Sequence, residues 1–190
     1  AEIYHYMQHA GDYGLTATNI SAGIDAVVKR SRGVAKQLNQ GVTHLMKKNK
    51  IDVVMGYGKI AGKGKIEVTA ADGKKQMVEG KYIIIATGAR TRQLPNLPQD
   101  GKKVIGYRQA MVLPEQPKSM IVVGSGAIGV EFAHFYNSMG TKVTIVEFLP
   151  NVVPVEDEDV SKELAKQYKK MGIDILTNSS VEKVDTKGKG

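Results

Sequence analysis

An apolar run leads directly into a glycine-rich hexapeptide at residues 120–129, where the sequence is MIVVGSGAIG. Its three glycines, Gly124, Gly126 and Gly129, have the G-x-G-x-x-G spacing of a dinucleotide-binding fingerprint. In that fingerprint the first glycine allows a tight turn, the second lets the backbone approach a pyrophosphate, and the third lets helix and strand pack closely. The spacing alone occurs by chance in many loops, so its meaning depends on the surrounding sequence.

The surrounding sequence has the periodicity of a β-α-β unit. The run over 120–123 predicts a strand, a helix follows to about Met139 with Gly140 as its terminator, and 142–146 predicts a second strand. Glu147 closes that strand, where a carboxylate accepts hydrogen bonds from an adenosine ribose and repels a 2′-phosphate. The pattern therefore predicts an α/β fold with a Rossmann-like site that favours NAD over NADP, its pyrophosphate held at the positive end of the helix.

The sequence after the second strand predicts one more helix and two more strands. The helix is expected over 156–171, because its first turn is acidic and lysines gather near its end, which suits the helix dipole. Gly172 would stop it, and short strands are expected over 173–176 and 181–184. The lysine- and glycine-rich residues 187–190 carry no predicted element.

The first part of the chain has a different pattern. Apolar residues over 24–46 recur every three or four positions and predict one long helix that is buried on one side. A β-branched strand over 51–55 is expected to lead into a small β-meander with strands at 66–69 and 76–78. The continuously apolar run over 82–86 predicts a central parallel strand covered on both faces.

Proline placement divides the chain. All six prolines lie after residue 94, and the pair at 114 and 117 comes directly before the apolar run of the fingerprint. We therefore predict two domains, residues 1–113 and 119–190, joined by a linker at 114–118.

Composition excludes several classes of protein. With 190 residues, 42% of them hydrophobic, the chain can build a packed core and is too apolar for a disordered tail. It has no cysteine, which excludes a disulfide framework, a thiolate metal site and a cysteine nucleophile within these residues. No apolar run approaches the roughly 20 residues that span a bilayer, so we expect no membrane-spanning segment and no membrane partner. The protein is expected to be cytoplasmic.

Two further patterns carry weaker signals. His5 and His9 would share one helix face at a metal-ligand spacing, but no third ligand is near, so no metal site is predicted. The segment between Asp25 and Asp52 contains lysines and arginines but no acidic residue, and the net charge of the whole chain is +8. These charges suit a basic nucleic-acid binder, but the segment has no aromatic residue on which bases could stack. A solvated helix face is therefore favoured, and no nucleic-acid partner is predicted.

A second motif, YIIIATGAR at residues 82–90, completes a larger pattern with the fingerprint and with the VEFA sequence at 130–133. Over nearly its whole length the chain resembles the flavoprotein disulfide reductases that bind two dinucleotides. The resemblance implies Rossmann-like FAD- and NAD-binding domains, with residues 1–113 part of the FAD-binding domain and 119–190 an incomplete NAD-binding domain. It is strongest to the branch whose homodimeric members oxidise dihydrolipoamide on the 2-oxoacid dehydrogenase complexes.

The resemblance also implies a role for individual positions. The positions implied beside FAD are Gly58, Ala86, Thr87 and Gly88. The positions implied at the NAD pyrophosphate are Gly124, Ser125, Gly126, Ala127 and Ile128, and Gly129 completes the predicted NAD-binding set. Glu147 would bind the adenosine ribose, Val181 would contact adenine, and Glu131 would face the nicotinamide and the flavin.

The sequence also departs from complete members of that family. Those members have an earlier glycine fingerprint for FAD, a redox cysteine pair and a His-Glu acid-base pair, none of which occurs here. We therefore expect an interior piece of a larger enzyme, assign no catalytic residue and expect no turnover by the piece alone. The alternatives are another family member, such as an NADH oxidase or a mercuric or glutathione-type reductase, or a non-catalytic NAD-binding module.

Overall fold

The computed structural model describes residues 1–187. Its helices are α1 (Glu2–Gln8), α2 (Ile24–Lys48), α3 (Tyr107–Ala110), α4 (Ala127–Ser138) and α5 (Glu158–Lys170), with a 3₁₀ turn at Ala10–Tyr13. Its strands are β1 (Tyr57–Gly62), β2 (Lys65–Thr69), β3 (Lys75–Glu79), β4 (Ser119–Val123), β5 (Lys142–Val146) and β6 (Asp174–Leu176). The predicted α/β class is confirmed. The lysine-glycine tail at 188–190 lies outside the described residues.

The chain divides into two compact units. The first comprises Ala1–Ser31 together with Thr91–Gly190, and the second comprises Arg32–Arg90. The proline-rich linker at 114–118 therefore lies within the first unit. The domain boundary expected there stays a prediction about sequence domains.

The first unit contains a parallel sheet with the strand order β4-β5-β6. Met120 pairs with Val143, and Ile145 lies between Val122 and Ile175, so these side chains share one face of the sheet. Val143 and Ile145 have no exposed surface and belong to a core that includes Ala133 and Tyr136 of α4 and Tyr168 of α5. The opposite face, with Ile121, Val123 and Leu176, is exposed.

Helix α5 has the charge distribution expected from its sequence. The Asp157 side chain accepts a hydrogen bond from the Asp159 backbone N–H at 3.0 Å, and Lys169 and Lys170 lie in the last turn. The buried Tyr168 hydroxyl donates to the Val130 carbonyl at 2.8 Å and so fixes α5 to α4. The predicted strand-helix-strand-helix-strand order from residue 119 to 176 is confirmed.

The second unit contains an antiparallel sheet with the order β1-β2-β3. Tyr57 pairs with Thr69, Thr69 also pairs with Lys75, and Val68 of the central strand is buried. The predicted β-meander is confirmed, although its first strand is Tyr57–Gly62.

The strand predicted over 51–55 is wrong, because its first residue, Ile51, hydrogen-bonds to the last turn of helix α2. The Ile51 N–H donates to the Met46 carbonyl at 2.9 Å and the Lys50 N–H to the Lys47 carbonyl at 3.1 Å, with Lys50 in the left-handed region at φ 55°. This pair of bonds is a Schellman motif, which satisfies the last carbonyls of the helix. The apolar residues that follow are exposed and form no strand.

The strands predicted over 82–86 and 181–184 are also wrong. Strand backbone needs a partner for its N–H and C=O groups, and within residues 1–187 neither segment pairs with another strand. Ile84 is 90% exposed, not covered on both faces. The Val181 carbonyl accepts a hydrogen bond from the Asn96 side chain, not from a neighbouring strand.

The expected burial of α2 on one side is not observed either. Ile24 is its buried residue, whereas Val34, Leu38, Val42 and Leu45 on the same stripe are exposed. Periodicity predicts an amphipathic helix but does not supply the surface that covers it.

Candidate nucleotide-binding site

The fingerprint loop connects β4 to α4 and depends on glycine at both ends. Gly124 has φ 94°, which L side chains rarely adopt, and its N–H donates to the Val146 carbonyl at 2.9 Å. A Cβ at Gly129 would lie 2.2 Å from the Gly124 carbonyl oxygen, far inside van der Waals contact. The first turn of α4 therefore packs directly on the loop, as the fingerprint predicts.

The other side of the loop is open. A Cβ on Gly126, the N-cap of α4, would meet no atom within 4 Å, and Ala127 and Ile128 are exposed. N–H groups in the first turn of a helix have no acceptor within the helix, and they lie at its positive end. The space in front of these residues thus suits an anion such as a pyrophosphate.

Glu147 stands next to this loop, at the end of β5, and is 7% exposed. Its Oε2 accepts hydrogen bonds from both the backbone N–H and the hydroxyl of Ser125, each at 2.7 Å. Its Oε1 accepts one from the Leu149 N–H at 2.8 Å. Three donors therefore hold the carboxylate in one orientation.

Hydrogen bonds, including one from the Phe148 N–H, also set the charge of Glu147. Burial by itself raises the pKa of this carboxyl, but the hydrogen bonds from Leu149, Ser125 and Phe148 outweigh it and lower the pKa below its ordinary value. The side chain is thus ionised at neutral pH and can both attract hydroxyl donors and repel a phosphate.

The backbone around Glu147 is held by the segment after β6. The Glu147 N–H donates to the Leu176 carbonyl at 2.8 Å, and the Ser179 N–H donates to the Glu147 carbonyl at 2.9 Å. The Asn178 N–H donates to the Leu149 carbonyl at 3.1 Å. Strand β6 therefore positions the acidic residue although it carries no predicted site residue.

Ser125 is the residue whose surroundings the sequence did not reveal. Its position in the fingerprint predicts contact with the pyrophosphate, but it has no exposed surface, and both its N–H and its hydroxyl point to Glu147. The available signal was the hydroxyl itself, because a polar side chain inside a glycine fingerprint needs a partner when it is buried. Its contact with a pyrophosphate stays a prediction.

Glu131 and Val181 lie apart from this hydrogen-bond network. Glu131 is exposed on α4, and its charge adds to the effect of burial, which is the larger cause, in raising the pKa of Tyr168. Val181 is half-buried in the segment after β6, where Asn96 donates to its carbonyl at 2.5 Å. Their contacts with nicotinamide and adenine stay predictions.

The positions implied beside FAD belong to the second unit. Gly58 lies on β1, and Ala86, Thr87 and Gly88 follow the apolar run, with Gly88 at φ 73°. All four are exposed, and these residues alone form no cradle for a flavin. The fingerprint loop, and not these positions, has a geometry that suits a dinucleotide.

Other sites are not supported by the described residues. Within residues 1–187 no group of three or more His, Asp or Glu side chains could hold a metal ion, and no helix is long and apolar enough to cross a membrane. The rings of His5 and His9 are tilted by 37° with their centroids 4.1 Å apart, and one ring nitrogen of His9 lies 2.9 Å from the His5 carbonyl.

Comparisons with a family model and with individual relatives point to the same family. Residues 4–190 match the family described as pyridine nucleotide-disulphide oxidoreductase. The dihydrolipoyl dehydrogenase of Zymomonas mobilis subsp. mobilis is 46% identical over 190 residues, which is 100% of this chain and 41% of the relative. That of Bacillus subtilis is 40% identical over 189 residues, 95% and 40% of the two chains. Leghemoglobin reductase of Glycine max is 34% identical over 191 residues, 100% and 36% of the two chains.

Solved structures agree with the sequence relatives. The crystal structure of LpdA from Mycobacterium tuberculosis matches with a TM-score of 0.88 and 28% identity, covering 100% of this chain and 42% of that one. The Cu(II) complex of the HOCl-induced flavoprotein disulfide reductase RclA from Escherichia coli matches with a TM-score of 0.74 and 26% identity, covering 96% of this chain and 39% of that one. The chain thus spans about two fifths of the length of these relatives.

Proposed function

Since the chain belongs to the pyridine nucleotide-disulphide oxidoreductase family, we propose that it is part of a dihydrolipoyl dehydrogenase and that its fingerprint loop binds NAD. The observation that carries this proposal is the open loop at Gly126 beside a buried, ionised Glu147. A glycine turn that served only to connect a strand and a helix would need neither the open face nor the clamped carboxylate.

The residues of the loop have separate tasks in this proposal. The N–H groups at the start of α4, at Ala127 and Ile128, hold the pyrophosphate, and Gly126 leaves room for it. Glu147 accepts a hydrogen bond from the adenosine ribose and repels the extra phosphate of NADP. Val181 contacts adenine and Glu131 faces the nicotinamide. NAD itself would supply the hydride acceptor.

The remaining chemistry of the proposed parent enzyme involves groups outside this chain. Dihydrolipoamide would lose two electrons and two protons to become a cyclic disulfide, and NAD⁺ would gain a hydride while one proton is released. No residue here can form the intermediate disulfide, because the chain has no cysteine. We place FAD beside Gly58, Ala86, Thr87 and Gly88, and propose a cytoplasmic homodimer whose substrate is carried by a 2-oxoacid dehydrogenase complex.

The NAD site is tested by nucleotide titration. Purified protein is titrated with NADH and with NADPH while nicotinamide fluorescence is followed, and the titrations are repeated with Glu147→Gln. Hydrogen bonds to a charged group contribute about 1.5–3 kcal/mol, so we expect NADH affinity to fall by about tenfold or more in the variant. NADPH binding should not weaken, since the repulsive charge is removed.

The matched control is Glu163→Gln, which neutralises an exposed carboxylate on α5 that interacts with Lys166 and Gln167. This variant should keep the NADH affinity of the parent protein, that is, of this chain without a substitution. Equal loss of NADH affinity in both variants, or tighter binding of NADPH than NADH by the parent protein, would refute the proposal.

A further inference from the structure

The carboxylate of Glu147 has a limited number of acceptor positions. Its two oxygens together offer about four lone-pair sites. Oε2 already accepts two hydrogen bonds from Ser125, and Oε1 accepts one from Leu149. Since both Ser125 bonds fall on Oε2, Oε1 is the oxygen that an incoming ligand hydroxyl would approach.

Ser125 is placed to maintain this arrangement. It has no exposed surface, and its carbonyl accepts a hydrogen bond from the Val153 N–H at 3.0 Å, so its backbone is fixed from the loop after β5. Its hydroxyl and its N–H reach the same oxygen at 2.7 Å. Two donors on one oxygen fix the rotation of the carboxylate about its terminal torsion, which is otherwise broad.

We infer that Ser125 is a positioning residue that turns Oε1 of Glu147 towards the adenosine ribose and thereby determines the preference for NADH over NADPH. This inference rests on the proposed NAD site. Without the hydroxyl, the carboxylate keeps its charge but loses one of the donors that fix its direction. It then accepts less well from a ribose hydroxyl and can turn away from a 2′-phosphate.

The test separates positioning from simple stabilisation. In Ser125→Ala we expect the Kd for NADH to rise about fivefold to tenfold, because a carboxylate that is less firmly oriented accepts a weaker hydrogen bond from the ribose, while the Kd for NADPH stays the same or falls. A merely structural role would weaken both nucleotides by the same factor. The ratio of the two Kd values is therefore the decisive readout.

The matched control is Thr141→Val, because the Thr141 hydroxyl is also buried and donates to the Pro117 carbonyl at 2.8 Å, at the opposite end of β5. Its Kd ratio should equal that of the parent protein. In a Glu147→Gln background, Ser125→Ala should leave the ratio unchanged, since the charge that Ser125 positions is gone. If Ser125→Ala does not fold, Ser125→Gly is measured in the same way, because it also lacks the hydroxyl.

Each outcome decides the matter. The inference is supported if the ratio of the Kd for NADPH to the Kd for NADH falls in Ser125→Ala but not in Thr141→Val. An equal loss for both nucleotides, or an unchanged ratio, overturns it and leaves the NAD site standing. Failure of the folded parent protein to bind either nucleotide overturns the NAD site and this inference together.

Discussion

The fingerprint region and the apolar run at 82–86 both show the pattern of buried parallel strands, yet of the two only the fingerprint region forms a strand, β4. In the fingerprint region β4 pairs with the neighbouring strand β5, the Gly124 N–H donates to the Val146 carbonyl and the Ser125 N–H donates to Glu147. The run at 82–86 has no strand partner within the described residues, and Ile84 is exposed. An apolar pattern indicates burial, but a strand also needs a neighbour with which to exchange hydrogen bonds.

The largest effect expected from this comparison concerns glycine. Gly129→Ala would place a Cβ 2.2 Å from the Gly124 carbonyl oxygen, so backbone must move. We expect a loss of about 3 kcal/mol or more in the free energy of unfolding, together with loss of NADH binding. Urea denaturation followed by circular dichroism measures it.

The control for that variant lies on α2. A Cβ at Gly33 would meet nothing within 4 Å, so Gly33→Ala should stabilise the helix by about 0.5–1 kcal/mol. Equal destabilisation by the two substitutions would show that the close approach at Gly129 is not specific to the fingerprint.

Isoleucine offers the next comparison, because Ile145 has no exposed surface and Ile84 is 90% exposed. Ile145→Ala should cost about 2–5 kcal/mol through lost burial and the cavity that remains. Ile84→Ala should change stability by no more than about 0.5 kcal/mol. Chemical denaturation of both variants checks this, and a large loss for Ile84→Ala would mean that the run at 82–86 is buried in solution.

A smaller effect is expected from the hydroxyl that joins α5 to α4. Tyr168→Phe removes this hydrogen bond, while the Val130 carbonyl, which lies inside α4, keeps its partner within the helix. We expect a loss of about 0.5–1.5 kcal/mol, measured by thermal unfolding. Tyr57→Phe, at an exposed position of β1, serves as its control and should be neutral.

The smallest effect is a pH dependence at Glu147. Its pKa is lowered in the folded protein, so its contribution to stability is present above the unfolded value near 4.5 and is lost as pH falls through the lower folded value. Unfolding free energies measured from pH 7 down to pH 3 should therefore fall less steeply for Glu147→Gln. Parallel pH profiles for the two proteins would contradict the assigned ionisation.

The sequence predicted the elements whose partners are close along the chain. The order β4-α4-β5-α5-β6, the end of α4 before Gly140 and the acidic first turn of α5 all follow from local periodicity and capping. Residues 51–55 show the limit of such local prediction, because Ile51 is bonded to the end of α2 and does not start a strand.

The candidate site was predictable in part for the same reason. Gly124, Gly129 and Glu147 follow from the fingerprint spacing, and their geometry supports the packing that the spacing implies. The partnership of Ser125 with Glu147, and the support from β6, depend on contacts between residues that lie far apart in the sequence. Motif spacing in the sequence does not predict those contacts.

The most direct test of the account is to locate NADH on the protein. In a ¹⁵N-resolved NMR titration, the largest shifts should occur at the amides of Gly126, Ala127 and Ile128, with smaller ones at Ser125 and Glu147. The amide of Gly58 on β1 should not move. Shifts centred on the second unit, or none at the start of α4 when NADH is saturating, would contradict the assignment of the fingerprint loop as the nucleotide site.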